Sequence, residues 1–429
     1  MDRRNDNTAL SERRAVRPLS IIVVGAGICG LAVGLCLRKT GGHEVRILER
    51  REGITDIGAG IQLAPNASRI LQRFGVFDEV MKYATVLEQN SSRRWDNDEE
   101  LGYTPLVPDV EEQFGMPLAV IHRADLLNIL LEAAVDCGCK ILTGHEVIDV
   151  DQQFLPTDSP DGINSVIRMR MAAASGHVDT VGPVVESAYR FVLPLESVRG
   201  DEQVMALLNK NHGIRYMGPG GHVMAYPLRN NKLYNVVLVR RVEHEHSPGS
   251  SWTTPGNKQE VLEHYRGWSP VIQALMRHAP DFGILETPMN HMPPLPSWVK
   301  GRIALAGDAC HFMVPYVAQG AANAIEDAAV LSMAFTCTDN IDLALEMYQR
   351  VRKSRSERIQ ASATSTGYIL HLPDGEEQRK RDQSIRAASG GDGVNPDQWN
   401  DRQSREFMWR VDVMAETING FESSAVSFD

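Results

Sequence analysis

The residues that most constrain the fold are Gly25-Ala26-Gly27-Ile28-Cys29-Gly30. An apolar, β-branched run from Ser20 to Val24 precedes them and predicts a strand; a helical run from Leu31 to Lys39 follows. In such a turn Gly25 makes the tight bend, Gly27 lets backbone approach a pyrophosphate, and Gly30 lets the helix lie close on the strand. After Gly41-Gly42, Glu44 to Leu48 predicts a second strand ending in Glu49, 24 residues after Gly25. An acid there would bond a ribose hydroxyl. The glycine pattern alone is a weak signal. With a strand before it, a helix after it and an acid at the next strand's end, it predicts a βαβ dinucleotide unit.

A second stretch, Gly301 to Ala328, reads GRIALAGDACHFMVPYVAQGAANAIEDA. Ile303 to Ala306 predicts a short buried strand with Gly307-Asp308 at its end. A Pro-containing loop then leads through Gln319-Gly320-Ala321 into a long Ala-rich helix. The first N–H groups of a helix lack partners and stabilise negative charge in front of them. Asp308 could bond a sugar-like hydroxyl. On these residues alone, an ordinary core strand and helix remain open.

Together with HRADLL near Arg123 and DGINSVIR at Asp161, the two stretches resemble the single-component FAD-dependent aromatic hydroxylases, flavoprotein monooxygenases related to salicylate hydroxylase. The segment HLPDGEEQRKRD and the tryptophan-containing tail resemble fungal members of that group. The resemblance covers Ile21 to the Trp409 region. It implies an α/β fold: a Rossmann-type FAD-binding domain, an interleaved antiparallel-sheet substrate domain and a C-terminal helical region. It also implies FAD, NAD(P)H as co-substrate, O2 and a phenolic or aromatic-acid substrate. By the same resemblance FAD would meet Gly25, Gly27, Gly30, Glu49, Gly60, Arg123, Asp308, Gly320 and Ala321, with Asp308 on the ribityl chain. Only one dinucleotide fingerprint is present, so NAD(P)H would have no Rossmann domain of its own.

The chain's 429 residues suit two interleaved domains. The expected division is a disordered tail (1–18), the FAD domain in two parts (19–168 and 291–340), a substrate domain (169–290) and a helical C-terminal region (341–429). The formal net charge, 44 − 55 = −11, disfavours a nucleic-acid partner. No apolar run reaches the roughly eighteen residues a membrane span needs. The polar N-terminus lacks the apolar core of a secretory signal. Six scattered cysteines fit a reducing compartment, so a cytoplasmic location is expected. Cys137-x-Cys139 lacks a second ligand pair, and no metal site is expected.

On the FAD side Gln89 to Val107 is strand-like with charged breaks and Lys140 to Val150 predicts a strand; on the substrate side Tyr189 to Pro194, His222 to Pro227 and Leu233 to Arg240 predict strands. Asn230-Asn231 supplies a hairpin turn between the last two. Arg190 and Tyr226 are the polar groups expected in the pocket. Arginine suits a carboxylate or phenolate because it offers a planar pair of donors. Strand pattern alone leaves either residue free to face solvent; the resemblance favours the pocket. The 341–364 stretch predicts a long covering helix. One departure from the family stands out. Asp151 to Pro160 holds two prolines and two aspartates, a poor central strand. About a hairpin and a strand are short there, at roughly 5–6 residues per strand. That shortening leaves open a flavoprotein with impaired or absent catalysis; separately, the first motif taken alone leaves open an NAD(P)-dependent dehydrogenase.

Overall fold

The computed structural model describes residues 13–54, 59–150, 166–177, 184–246, 254–289 and 292–425. Most of the predicted N-terminal tail, the short segment before Asp161 and Asp161 itself lie outside them.

The first βαβ unit forms as its sequence dictates. Ser20–Val24 pairs in parallel with Glu44–Leu48, which pairs in parallel with Lys140–Leu142. Between the first two runs the helix Ile28–Gly41. It is buried on nearly every side, because it is sandwiched against the equally apolar helix Gly320–Cys337. A helix apolar all round can only sit inside. Lys140 to Val150 does not continue as the expected strand. It stops at Leu142 because Gly144 turns with φ +70°, and Gly144 N and His145 N donate back to the carbonyls of Arg51 and Glu49. A small antiparallel sheet of Gly60–Leu63, Ala119–His122 and Thr85–Val86 lies beside this unit.

An eight-stranded sheet builds the second lobe. Its order is Thr254–Pro255, Leu285–Met289, Val184–Pro194, Leu233–His246, Gly221–Leu228, His212–Gly218, Gln89–Arg94, Glu100–Pro105. The expected antiparallel sheet is thus a mixed one: His212–Gly218 pairs in parallel with Gln89–Arg94. Residues 89–105, assigned from sequence to the FAD side, extend this sheet instead. The hairpin between Gly221–Leu228 and Leu233–His246 turns through Arg229, Asn230 and Asn231, all at positive φ, as the Asn-Asn pair suggested. The sheet's outer face carries Tyr189, Phe191, Leu193, Tyr216, Val236 and Leu238. They bury against the helices Glu202–Leu208, Lys258–His264 and Pro270–Arg277.

Val166–Ala174 is a helix, with buried Arg168 donating to the carbonyls of Ala309 and Pro293. One further expectation changes. The short strand after Gly301 is only Ile303–Ala304. It folds back on Val299–Lys300 around Gly301 (φ +55°) and does not join the parallel sheet. The long helix runs Ile341–Leu370. The helix Glu376–Ser389 then covers Glu100–Pro105, where a methyl group on Gly102 would meet Ser389 and Ile385.

Candidate active site

Two helix N-termini open on the same side of the core. At the first, Gly25 adopts φ +88°, and a Cβ on Gly30 would lie 1.9 Å from the Gly25 carbonyl oxygen. Only glycine fits at either position. A Cβ on Gly27 would meet nothing within 4 Å, so space lies in front of it. No acid occupies the first turn of Ile28–Gly41 and no side chain caps it. Glu49 accepts from Ala26 N at 2.9 Å and Arg51 N at 3.1 Å, which fixes its carboxylate beside this turn. The second N-terminus is Gly320–Cys337. Gln319 leads into it without a side-chain cap, and Ala318 bends the chain at φ +53°. Gly320 again faces open space, and Ala321 is half-buried. Asp308 is exposed at the start of the short helix Asp308–His311. Two uncapped N-termini, Glu49 fixed beside the first, an exposed Asp308 and space before the glycines suit an anionic dinucleotide.

Paired residues in a sheet share a face, so the register lays out the inner floor of the large sheet in rows. One row runs Arg190, Val237, Met224, Arg215, Ser92. The row on one side holds Val192, Asn235 and Tyr226; the row on the other holds Ala188, Val239, His222 and Met217. Arg190 and Tyr226 therefore face the same way, toward the 313–318 loop, whose Met313, Val314 and Val317 pack on Met224, Tyr226 and Val237.

Arg190 is the unpaired cation of this floor. Its Nε has no hydrogen-bond partner among the described residues. Burial pushes its pKa down; Tyr226 and Tyr316 oppose that, Arg123 adds to it, and no carboxylate contributes. A guanidinium remains charged regardless. Burial raises the Tyr226 phenol, and Arg190 only partly offsets this, so Tyr226 stays neutral. Arg123 opens the helix Arg123–Asp136, is exposed, and acts on the same space as Arg190. Gly60 opens the strand Gly60–Leu63. Its N–H donates to Asn235 Oδ1 at 2.7 Å, and a Cβ there would lie 2.5 Å from Tyr226 Cε2. Gly60 is where the FAD-side sheet closes on the tyrosine.

Sequence reasoning missed three buried networks. Glu326 and Asp327, fully buried in Gly320–Cys337, meet Arg352 and Arg355 of the long helix. Asp327 also accepts from Gly307 N at 2.8 Å and pairs with His311 at 2.6 Å, so it holds the turn that presents Asp308. Burial pushes the Glu326 carboxyl up, but Arg355 and Arg352 outweigh it and leave it at about 2. Cys310, His311 and Asp327 lie within 4.8 Å of one another, but Arg352 already neutralises that carboxylate. An acid pair inside an apolar helix, with arginines three apart on the next, was the available signal. The second network runs from Tyr316 OH to Glu186, from Glu186 to His371 at 2.8 Å, and from His371 to His222 at 2.7 Å. Burial, then His371 and Arg215, pushes His222 well below its ordinary value, so it is neutral. Burial raises the Glu186 carboxyl, yet its bonds to His371 and Tyr316 leave it below the usual range. The third network joins Arg215 to Asp397 at 2.7 Å, with the guanidinium 4.4 Å over the Trp399 ring. Local sequence gave no sign of it.

The model of the FAD binding domain family matches residues 19–156 and 159–363. The FAD-dependent monooxygenase atnJ of Arthrinium sp is 35% identical over 419 residues, covering 93% of this chain and 96% of its own.

The chain is an FAD-dependent monooxygenase of this family. Similarity extends to 3-hydroxybenzoate 6-hydroxylase of Polaromonas naphthalenivorans, 30% identical over 410 residues and covering 92% and 96% of the two chains. The fold matches that of a salicylate hydroxylase substrate complex with a TM-score of 0.73 at 23% identity, over 95% of this chain and 97% of that one. The monooxygenase uses FAD, with NAD(P)H as the family's reducing co-substrate. The dehydrogenase alternative falls with this match. No helix among the described residues is long and apolar enough to cross a membrane.

Proposed function

We propose that the monooxygenase hydroxylates a phenolic or aromatic-acid substrate that it binds as an anion. The observation that carries this reading is Arg190: a cation without a carboxylate partner, set beside Val237 and Met224 on an apolar floor. Leaving a desolvated charge unpaired is costly unless a ligand supplies the counter-charge. The apolar side chains of Val237 and Met224 suit an aromatic ring, and the guanidinium suits a phenolate or carboxylate. Relatives whose names specify carboxylated phenols, such as 3-hydroxybenzoate 6-hydroxylase and 3-amino-4-hydroxybenzoate 2-monooxygenase PtnB3, support this class.

In this reading the Ile28–Gly41 N-terminus, with Gly25, Gly27 and Gly30, receives the FAD pyrophosphate, and Glu49 a ribose hydroxyl. Asp308 receives the ribityl chain, the Gly320-Ala321 N-terminus faces the ring, and Arg123 adds positive charge. Bound FAD supplies the redox chemistry that places one atom of O2 on an electron-rich ring. The chain's own residues do the rest. Arg190 favours the ionised substrate and orients it. Tyr226, held against Gly60, fixes the ring beside it. The 313–318 loop keeps water from the face above.

The test is direct. The purified protein is loaded with FAD, and phenolic and aromatic acids are screened for stimulated NAD(P)H oxidation, with product analysis. Anionic phenols should stimulate oxidation and return products one oxygen heavier. Stimulation by neutral arenes alone would overturn the assignment.

A further inference from the structure

Residues 395–401 form a loop, yet Asn395, Asp397, Trp399, Asn400 and Asp401 are all buried. Loops run over surfaces because buried backbone must find partners. This one brings its own. Asp397 Oδ1 accepts from Trp399 N at 3.1 Å, Asn395 Oδ1 from Asp397 N at 3.0 Å, and Asp401 Oδ1 from Asn395 N at 3.3 Å. The segment is therefore pre-shaped, and it is seated on the inner floor of the large sheet. Asn400 donates to Ser92 Oγ at 3.2 Å, Asp397 pairs with Arg215, and a Cβ on Gly213 would lie 3.0 Å from the Trp399 ring. Trp399 Nε1 donates to Gln62 Oε1 at 2.9 Å. Gln62 stands two residues from Gly60 on the same strand, so both point the same way. Gly60 meets Tyr226 and Gln62 meets Trp399, which puts the two rings next to one another; they share one apolar cluster with Met224, Met313 and Val317.

We propose that segment 395–401 is the far wall of the substrate pocket, with Trp399 setting its length and Asp397 its charge. This rests on the reading of Arg190 given above. Arg190 and Arg215 lie on one row, three strand spacings or about 14 Å apart. Trp399 caps the Arg215 end of that row. Asp397 neutralises Arg215, so Arg190 is left to bind a single negative charge. Without Asp397 the floor would carry two cations at opposite ends and would suit a dianion.

Calorimetric binding to the FAD-loaded enzyme tests this with three probes: 3-hydroxybenzoate, 1-hydroxy-2-naphthoate and 5-hydroxyisophthalate. The wild type should rank the single-ring monoanion first. Trp399→Ala should improve the naphthoate's affinity relative to 3-hydroxybenzoate by about tenfold, and Trp399→Phe by less. Asp397→Asn should shift preference toward the dicarboxylate by a similar factor. Should that variant fold poorly, Asp397→Leu with Arg215→Met removes both charges and should show no such shift. A folded Trp399→Ala enzyme with the wild-type ranking overturns the wall while leaving the proposed function in place. Failure of any aromatic acid to bind the wild type overturns the proposed function, and this inference with it.

Discussion

Arg190 and Tyr226 share a face because Arg190 pairs with Val237, Val237 with Met224, and Tyr226 lies two residues along from Met224. A chain that loses the Arg190 charge but keeps the floor should keep FAD and lose orientation. Arg190→Gln is expected to retain flavin and to lower product formation about a hundredfold, the scale of a lost orienting contact. Arg190→Lys should fall short too, because an ammonium lacks the planar fork. Tyr226→Phe removes one hydroxyl and keeps the ring, so its loss should be smaller. Wild-type turnover in Arg190→Gln would place Arg190 outside the pocket. Gly60→Ala is a second probe. Its methyl would collide with Tyr226 Cε2 at 2.5 Å, so the ring must move. A higher substrate KM with flavin still bound is expected; an unchanged KM would show that Tyr226 does not position substrate. For the cofactor, Glu49→Ala and Asp308→Ala should each weaken FAD binding while the fold survives. A hydrogen bond to a charged group is worth about 1.5–3 kcal/mol. Flavin titration of each variant would reveal an unaffected affinity, and with it a wrong assignment.

At the scale of elements, the helices Gly320–Cys337 and Ile341–Leu370 are joined by charge inside the core. Glu326 accepts from Arg352, from Arg355 at 2.8 and 2.9 Å, and from Asn66 at 2.7 Å. Removing its charge leaves two buried arginines short of a partner, a loss of about 3–5 kcal/mol. Glu326→Gln should therefore lower the urea midpoint at neutral pH. The sign of the pH effect follows from a folded-state pKa of about 2 against an ordinary 4.5. The stabilisation is complete above the ordinary value and is lost as pH falls from there toward about 2. It amounts to something on the order of 3 kcal/mol. Wild-type stability should drop across that window, and Glu326→Gln should flatten the drop. Equal slopes for both proteins would mean the network is not a source of stability. The same pair bears on function, since Asp327 holds Gly307 and so sets where Asp308 stands.

At the scale of the molecule, the cofactor cleft we propose draws on residues 25–49, Arg123 and 307–321, and the lobes are stitched by Gly60–Asn235 and Trp399–Gln62. Filling that cleft should stabilise both lobes as one unit. FAD at a hundred times its Kd adds about 2.7 kcal/mol. Stripping flavin should therefore lower the melting temperature, and both lobes should melt in one transition. A stripped protein that melts where the loaded one does would show that FAD hardly binds the folded chain.

The sequence by itself determined the features that a few neighbouring residues can encode. The Gly25–Gly30 turn, the acid at Glu49, the Ala-rich helix after Gln319 and the Asn230-Asn231 hairpin all rest on local backbone preference and period. They formed as read. Even local reading failed where one residue broke the pattern, as when Gly144 ended the Lys140 strand, or where a pairing partner was non-local, as when residues 89–105 joined the far sheet. What only the tertiary structure decided was which distant groups meet. Asn66 and Glu326 are 260 residues apart, Arg215 and Asp397 182, and Gln62 and Trp399 337. No window of sequence holds both partners of such a pair. A buried charge looks like a surface charge until packing removes the water around it, and that removal is what turns these residues into a core network, the cation proposed for the pocket and its proposed wall.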